Sequence, residues 1–261
     1  MKKNYFIISL PVYNSYQNLN LIFKNFCKKK INIIKIIVID NCSNNSISEK
    51  KKIISKLKLL YKVNIKLIIN EDNYGIGGSQ KILFENLSHE KYDFLVNTTT
   101  SGRYSVKKLV QNIVKLKNIN FDYISFSRFM KNSNLSKYSR LRTIGNFFFI
   151  FLTKILTKCN FSDPGSVTYL ISKKFFDKIY NKSIISLTNS SQFPHFFNII
   201  LSHNIIKFKE APIDWSSGNV KSHLKWFSYC IVLLLSLIHF FFFNKFFKEK
   251  KTIYKYKVIN F

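Results

Sequence analysis

The chain has few acidic residues: 13 Asp and Glu stand against 42 Lys and Arg in 261 residues, a formal net charge of +29. This charge favours an anionic partner, such as a lipid surface or a nucleotide. Lys, Asn, Ile and Phe are abundant throughout, so a general compositional bias is an alternative explanation. Arg is scarce beside Lys, although base readout commonly uses Arg. With no recognisable nucleic-acid-binding motif either, we expect no nucleic-acid partner.

Cysteine is also scarce. The four cysteines lie far apart in the chain: Cys27, Cys42, Cys159 and Cys230. Their spacing is not typical of a metal site or of a dense disulfide framework, which favours a reducing, cytosol-facing location. A signal sequence is not predicted, because the apolar run Tyr5–Val12 is short and contains Pro11.

Apolar runs of strand length alternate with helical patterns through the first half of the chain. The predicted strands are Tyr5–Leu10, Ile33–Asp40, Val63–Ile69, Tyr92–Val96 and Phe121–Phe126. This alternation predicts an α/β fold with a mostly parallel sheet flanked by helices. Ligands of such sheets bind beyond the carboxyl ends of the strands. Asn14, Asp40, Asn73 and Thr99 fall at or just past such ends, so we expect four turns to converge on one cleft.

The second half contains two apolar helical segments, Arg140–Lys158 and Trp226–Phe243. The latter carries no formal charge, and its 18 residues would extend about 27 Å as a helix, close to the hydrocarbon thickness of a bilayer. We expect it to contact a membrane as a single span or as an interfacial helix; a core helix is the alternative. The basic tail Lys248–Phe261 suits a headgroup surface. The predicted organisation is an α/β domain over 1–220 and a membrane-associated helix with a basic tail over 221–261.

Seven segments carry a family resemblance in order. PVYN resembles the opening PxYNE, VIDNCSNNS resembles VDDGSxDGT, and NYGIGGSQKILFENL resembles NxGxGxAxNxGxxxA. TTSGRYSVKKL is similar to DADGQYxPExL, and SRFMKN to SRYxxG. SDPGSVTYLISKKFF is similar to DxxSGFRxxxRxxx, and EAPIDWSSGNVKSHLKW to EVPIxxxxRxxGxSK. Over roughly residues 5–226 the series resembles family 2 glycosyltransferases of the GT-A fold, especially the dolichol-phosphate mannose synthase-like group of polyprenyl-phosphate sugar transferases.

The resemblance implies an inverting transferase that moves a sugar from a nucleotide-sugar donor to a polyprenyl phosphate or glycan. It would act at the cytoplasmic face of the cell membrane, on an anionic surface. The donor-binding residues that it implies are Pro11, Tyr13, Asn14, Asp40, Asn41, Asn73, Gly75, Thr99 and Ser101. Asp40 would accept a hydrogen bond from the base. The alternatives are turn capping for Asp40, packing for Tyr13 and helix capping for Asn73.

The sequence departs from the family pattern at its acidic positions. Ser15 and Asn41 replace acids of the first two turns, and Thr99 and Ser101 replace both acids of the metal motif. Hydroxyls are poor substitutes for carboxylates on Mg²⁺, so binding of Mg²⁺ or Mn²⁺ is doubtful and no metal ligand is assigned. The departures suggest relaxed or altered chemistry. They also raise an alternative function, that of a catalytically degenerate nucleotide-binding protein or scaffold partner.

Two residues are the candidates for catalysis. Arg128, with Arg103, would supply the positive charge that a metal ion otherwise gives the diphosphate leaving group. Asp163 matches the acid that the family places near the acceptor and the donor sugar. A phosphate acceptor is already ionised and needs little help from a base. The alternatives are surface arginines and an Asp that caps a turn.

Overall fold

The computed structural model describes residues 4–29, 31–116, 119–180, 182–204, 207–216, 226–247 and 252–261. The strands are β1 (Tyr5–Val12), β2 (Asn32–Asp40), β3 (Ile65–Asn70), β4 (Phe94–Asn97), β5 (Tyr123–Ser127), β6 (Leu135–Ser136), β7 (Tyr169–Ser172), β8 (Phe208–Pro212), β9 (Trp215–Ser216) and β10 (Tyr256–Asn260). The α-helices are α1 (Leu19–Cys27), α2 (Ile47–Tyr61), α3 (Gly75–Leu87), α4 (Val106–Leu116), α5 (Arg140–Thr157), α6 (Lys173–Ile179), α7 (Lys182–Ile185), α8 (Phe193–Ser202) and α9 (Trp226–Phe243).

Eight strands form one sheet in the order β10-β3-β2-β1-β4-β7-β5-β8. The neighbours from β3 to β4 pair in parallel, as do β5 and β8. β7 runs antiparallel between β4 and β5, and β10 runs antiparallel beside β3. The predicted α/β class with a mostly parallel sheet is therefore confirmed, and all five predicted strands belong to this sheet.

The sheet is buried on both faces, which explains its continuous apolar strands. In β1, Phe6 and Ile8 belong to one core, whereas Ile7 belongs to the other. The first core is covered by the apolar sides of α1, α2 and α4. The second is covered by α3, α6, α8 and α9. Both layers hold the strands so that the turns after β1 to β4 share one edge.

The C-terminal region is part of the same body. α9 packs against α5, and Leu233 and Leu237 enter the second core. Among the described residues, no helix is long and apolar enough to cross a membrane. Tyr256–Asn260 pairs with β3, so this part of the tail is an edge strand of the sheet. Binding of the tail to a headgroup surface stays a prediction. The boundary predicted at residue 220 lies outside the described residues and stays a prediction.

Candidate functional site

The turns that follow β1 and β2 are joined by hydrogen bonds. The backbone N–H of Asn14 donates to Ser43 Oγ (2.9 Å), and Asn44 N–H donates to Asn14 Oδ1 (2.9 Å). Asn14 has a left-handed backbone with φ 49°, which Asn tolerates better than most residues. Tyr13 and Asn14 are exposed at this edge, next to half-buried Pro11. Three of the predicted donor-binding residues thus lie together on the surface.

Amide side chains join the turn after β2 to the turn after β3. Asn41 Nδ2 donates to Asn73 Oδ1 (2.6 Å), while Asn41 Oδ1 accepts from Asn70 Nδ2 (3.1 Å) and from the backbone of Tyr74 (3.0 Å). Asn73 Oδ1 also accepts from Gly75 N–H (3.0 Å) at the start of α3. An acid at position 41 could accept these bonds but could not donate to Asn73, so Asn41 suits its neutral surroundings.

Gly75 is required by packing as well as by backbone conformation. Its φ is +70°, and a Cβ atom built on it would lie 2.4 Å from the carbonyl oxygen of Asn189. This glycine therefore permits a close approach between α3 and the segment before α8. It fixes the first turn of α3 at the edge of the site.

Hydroxyl groups join the turn after β4 to the turn after β1. Thr100 Oγ1 donates to the carbonyl of Pro11 (2.6 Å), and Ser15 Oγ lies 2.7 Å from the same Thr100 oxygen. Thr100 is buried, whereas Thr99 and Ser101 on either side of it are half-buried. With this link, all four turns are neighbours along one edge, as predicted. That they line one cleft stays a prediction.

Asp40 lies beneath this edge and is fully buried. Its carboxylate forms a 2.7 Å ion pair with Lys50 and accepts from Ser43 N–H (3.2 Å). Tyr16 is buried beside it; burial, followed by the charge of Asp40, raises the pKa of the Tyr16 hydroxyl. Asp40 thus uses its carboxylate for contacts within the protein, as the turn-capping alternative requires. Recognition of a base by Asp40 stays a prediction.

Asp163 and Arg128 form a single unit in which the acid is buried and the arginine is partly exposed. Arg128 Nε and Nη2 donate to the two carboxylate oxygens of Asp163 at 2.7 and 2.8 Å, and the backbone N–H of Arg128 donates as well (3.1 Å). Asp163 is 1% exposed. Because both of its oxygens are occupied, we interpret Asp163 as a residue that positions Arg128 rather than as a base.

Trp215 brings the two candidate arginines together. The Cζ atoms of Arg128 and Arg103 lie 5.4 and 5.6 Å from the centre of its ring, within the range of cation–π contacts. Tyr104 packs edge-on against the same ring, with centroids 4.7 Å apart. Ser216 N–H donates to Arg103 O (2.8 Å), which ties β9 to the turn after β4. Thr99 and Ser101 belong to that turn and precede Arg103 in it.

The sequence did not reveal the role of Trp215, nor that of the residues that hold its strand. Asp214 accepts from Lys108 and from the backbone of Asn134 (2.9 Å). Trp215 N–H donates to Asn134 O (2.8 Å), and β9 pairs with β6. The available signal is the run EAPIDWSS, at the start of a loop that the sequence predicts over Glu210–Ser222. Gly218 and the other residues of that loop from 217 onward lie outside the described residues.

The arrangement does not fit a carboxylate-bound divalent metal ion. The groups at the predicted metal position are the hydroxyls of Thr99 and Ser101, and Ser101 N–H donates to Thr99 Oγ1 (3.2 Å). In the part of the chain that the structure describes, no three His, Cys, Asp or Glu residues are grouped so that they could hold a metal ion. Positive charge at this edge comes instead from Arg103 and Arg128.

A three-layer α/β sheet with four polar turns at one edge, and an antiparallel strand beyond the fourth, is a GT-A-like fold whose ligands are expected at that edge. The sequence profile of glycosyl transferase family 2 matches residues 7–180, more than half of the chain. The chain belongs to this family.

Solved structures with the same fold include TarS from S. aureus, at 14% identity over 92% of this chain and 72% of that one, with a TM-score of 0.54. TarS in complex with UDP-GlcNAc is similar at 13% identity, 94% and 68% coverage, and a TM-score of 0.57. Glucosyl-3-phosphoglycerate synthase from Mycobacterium tuberculosis, in complex with Mn²⁺, UDP and phosphoglyceric acid, is similar at 11% identity. The match covers 90% of this chain and 78% of that one, with a TM-score of 0.58. At these identities the likeness shows the fold alone.

Proposed function

We propose that the protein is an inverting glycosyltransferase that uses a nucleotide-sugar donor without a carboxylate-bound metal ion. The observation that carries this proposal is the pair of guanidinium groups at Trp215, one of which, that of Arg103, belongs to the same turn as Thr99 and Ser101. A diphosphate leaving group develops negative charge as the sugar departs, and cations that are already in place stabilise that charge. UDP occurs in complexes of both structural relatives, which supports a nucleoside diphosphate as the ligand of this edge.

In this proposal the turns after β1 to β3 bind the nucleoside. Tyr13 offers an exposed aromatic ring, and Asn14 and Asn73 offer exposed amides. Aromatic rings stack on any base, and amides both donate and accept hydrogen bonds. Specificity for one base would then come from amide and backbone groups rather than from buried Asp40.

The acceptor in this proposal is an anion, with a polyprenyl phosphate favoured over a glycan. A sugar hydroxyl needs a base to remove its proton, whereas a phosphate oxygen is already a nucleophile. Asp163 has both oxygens bound by Arg128, so it is poorly placed to take a proton. Placement at the cytoplasmic face of the cell membrane, as a peripheral protein, agrees with such an acceptor.

A calorimetric titration of the purified chain with UDP and with GDP tests the donor site. We expect one of them to bind with the same Kd in EDTA and in Mg²⁺ or Mn²⁺. Binding that strictly requires metal would overturn the metal-free site. Transfer of labelled sugar to polyprenyl phosphate, and not to free glycans, would support the acceptor class.

A second candidate is a catalytically degenerate partner or scaffold that retains the nucleotide site. The loss of both metal-motif acids at Thr99 and Ser101 favours it. The double variant Thr99→Asp, Ser101→Asp distinguishes the two candidates. Activity gained only in this variant, and with Mg²⁺, would support the scaffold. Equal or higher activity of the native chain would support the enzyme.

A further inference from the structure

The outer side of α5 is apolar along its whole length. Its exposed apolar side chains are Leu141, Ile144, Phe147, Phe148, Phe151 and Ile155, each at least half exposed. Most recur at spacings of three and four residues, which places them on one side of the helix. The opposite side carries Thr153 and Thr157, which are buried. The sequence predicted this helix but not that its apolar side would lie open.

α9 shows the same division. Its outer side exposes Phe227, Ile231, Val232, Leu235, Ile238, Phe241, Phe242 and Phe243. Its inner side places Leu233, Leu237 and Phe240 in the second core. α5 and α9 also pack against each other, so the two outer sides belong to neighbouring helices. We name these exposed side chains of α5 and α9 the two-helix face.

The charged residues on α5 and α9, and those next to their described ends, are all positive. Neither α5 nor α9 contains an acidic residue. The cations at the helix ends are exposed: Arg140, Arg142, Lys154, Lys158 and Lys245. An apolar surface of this extent is rare on a soluble monomer. With a basic rim and no acid, it has the pattern of helices that lie in the headgroup plane of anionic lipid.

The two-helix face also borders the candidate site. Phe147 of α5 packs against Phe129 with ring centroids 5.2 Å apart. The Cζ atom of Arg128 lies 5.1 Å from the centre of the Phe129 ring. A phosphate at the level of lipid headgroups would therefore reach the cationic end of the site with little displacement from the bilayer.

We propose that α5 and α9 together dock the protein, in plane, on the surface of an anionic bilayer. This inference rests on the proposed function, because docking would bring a lipid phosphate acceptor to Arg128. It differs from the sequence expectation because two helices bind side by side. Apolar side chains enter the acyl boundary, while Arg and Lys at the helix ends bind anionic headgroups.

Flotation of the full chain with phosphatidylcholine vesicles, with or without phosphatidylglycerol, tests the docking. We expect binding to the anionic vesicles and at least about tenfold weaker binding to the neutral ones, with the difference reduced by high salt. Three single variants, Phe148→Glu and Phe151→Glu on α5 and Phe242→Glu on α9, should each weaken binding to the anionic vesicles by about tenfold or more.

The matched control is Leu59→Glu on α2, because Leu59 is 78% exposed and lies outside the two-helix face. We expect it to bind vesicles as the native chain does. The inference is overturned if the native chain does not bind anionic vesicles, or if the α5 and α9 variants bind like the control. Self-association without lipid that the same variants abolish would overturn it too, since a second copy would then cover the face.

Titration with UDP or GDP separates this inference from the proposed function. The face variants should keep native nucleotide affinity and a native thermal transition, because their side chains are exposed. If the native chain binds a nucleotide but not vesicles, the docking proposal is wrong and the proposed function is unaffected. If it binds vesicles but no nucleotide, the proposed function is wrong and the docking is unaffected.

Discussion

Asp40 and Asp163 are both buried at the candidate site, but they are paired with different cations. Asp40 binds the Lys50 ammonium, which also donates to the carbonyl of Ser43 (2.9 Å). The side chain of Lys50 is only 5% exposed, so this pair is closed within the protein. Arg128 directs two nitrogens at Asp163, remains 12% exposed, and lies over Trp215. The first pair closes a turn, whereas the second holds a cation near the surface.

The difference follows from the shapes of the two cations. An ammonium is a compact point charge that its nearest partners can surround entirely. A guanidinium is planar, so it can bind one carboxylate in a bidentate manner while its faces contact aromatic rings and its other N–H groups remain for an anion. We infer that Asp40–Lys50 contributes mainly to stability and Asp163–Arg128 mainly to ligand binding.

The largest effect is expected at the Asp40–Lys50 pair, which we call the closed pair. Replacement of Lys50 by Met leaves the Asp40 charge buried without its partner, so the free energy of unfolding should fall by about 3–5 kcal/mol. Chemical denaturation measures this loss. The control is Lys51→Met, an exposed neighbour whose loss should change stability by no more than about 0.5 kcal/mol. Equal stability of the two variants would contradict the structural role of the pair.

The next largest effect is expected at the Asp163–Arg128 pair, which we call the open pair because its arginine is partly exposed. Replacement of Arg128 by Lys keeps the charge but removes the planar fork, so the Kd for the nucleoside diphosphate should rise about tenfold to a hundredfold. Arg140→Lys, at the exposed start of α5, should bind as the native chain does. Asp163→Asn should also weaken binding, because it releases Arg128. Native affinity in Asp163→Asn would instead favour an independent role for that acid.

Local sequence patterns predicted much of the sheet but little of the site's charge. The strands from Tyr5 to Phe126 are apolar runs of strand length, and the polar turns after them were in the correct places. Contacts between distant segments could not be predicted from such patterns. Asp163 pairs with Arg128 across 35 residues, and β10 joins the sheet from the far end of the chain. Similarly, nothing local to Trp215 indicated that it contacts Arg103.

His195 offers a test of the burial around the open pair. Burial lowers the pKa of His195 to about 4, although nearby Asp163 opposes this shift. Thr153 Oγ1 donates to the carbonyl of Phe149 (2.6 Å), which leaves its oxygen to accept from His195 Nε2–H (2.7 Å). Because the folded pKa lies below the unfolded value, the unfolded chain binds more protons between pH 6.5 and 4.

Stability should therefore fall as the pH falls through this window, by about 2 kcal/mol at pH 5 from His195 alone. Denaturation of the native chain and of His195→Gln at pH 8 and pH 5 measures this contribution. The variant should lose stability at both pH values but should show a smaller difference between them. His89→Gln, an exposed histidine, should retain the native difference. An unchanged pH dependence in His195→Gln would show that the ring is not buried as a neutral group.

The smallest effect is expected at the hydroxyl link between the two regions. Thr100 joins the turn after β4, near Arg103, to Ser15 and Pro11 in the turn after β1. Replacement of Thr100 by Val leaves the Pro11 carbonyl and the Ser15 hydroxyl without this partner, which should cost about 1–2 kcal/mol of stability. A double-mutant cycle with Ser15→Ala measures the coupling through the link. Nucleotide affinity that falls in Thr100→Val by more than stability explains would show that the two ends of the site depend on each other. Unchanged affinity would show that each ion pair acts within its own region, because the link then holds the turns together without setting the position of Arg128.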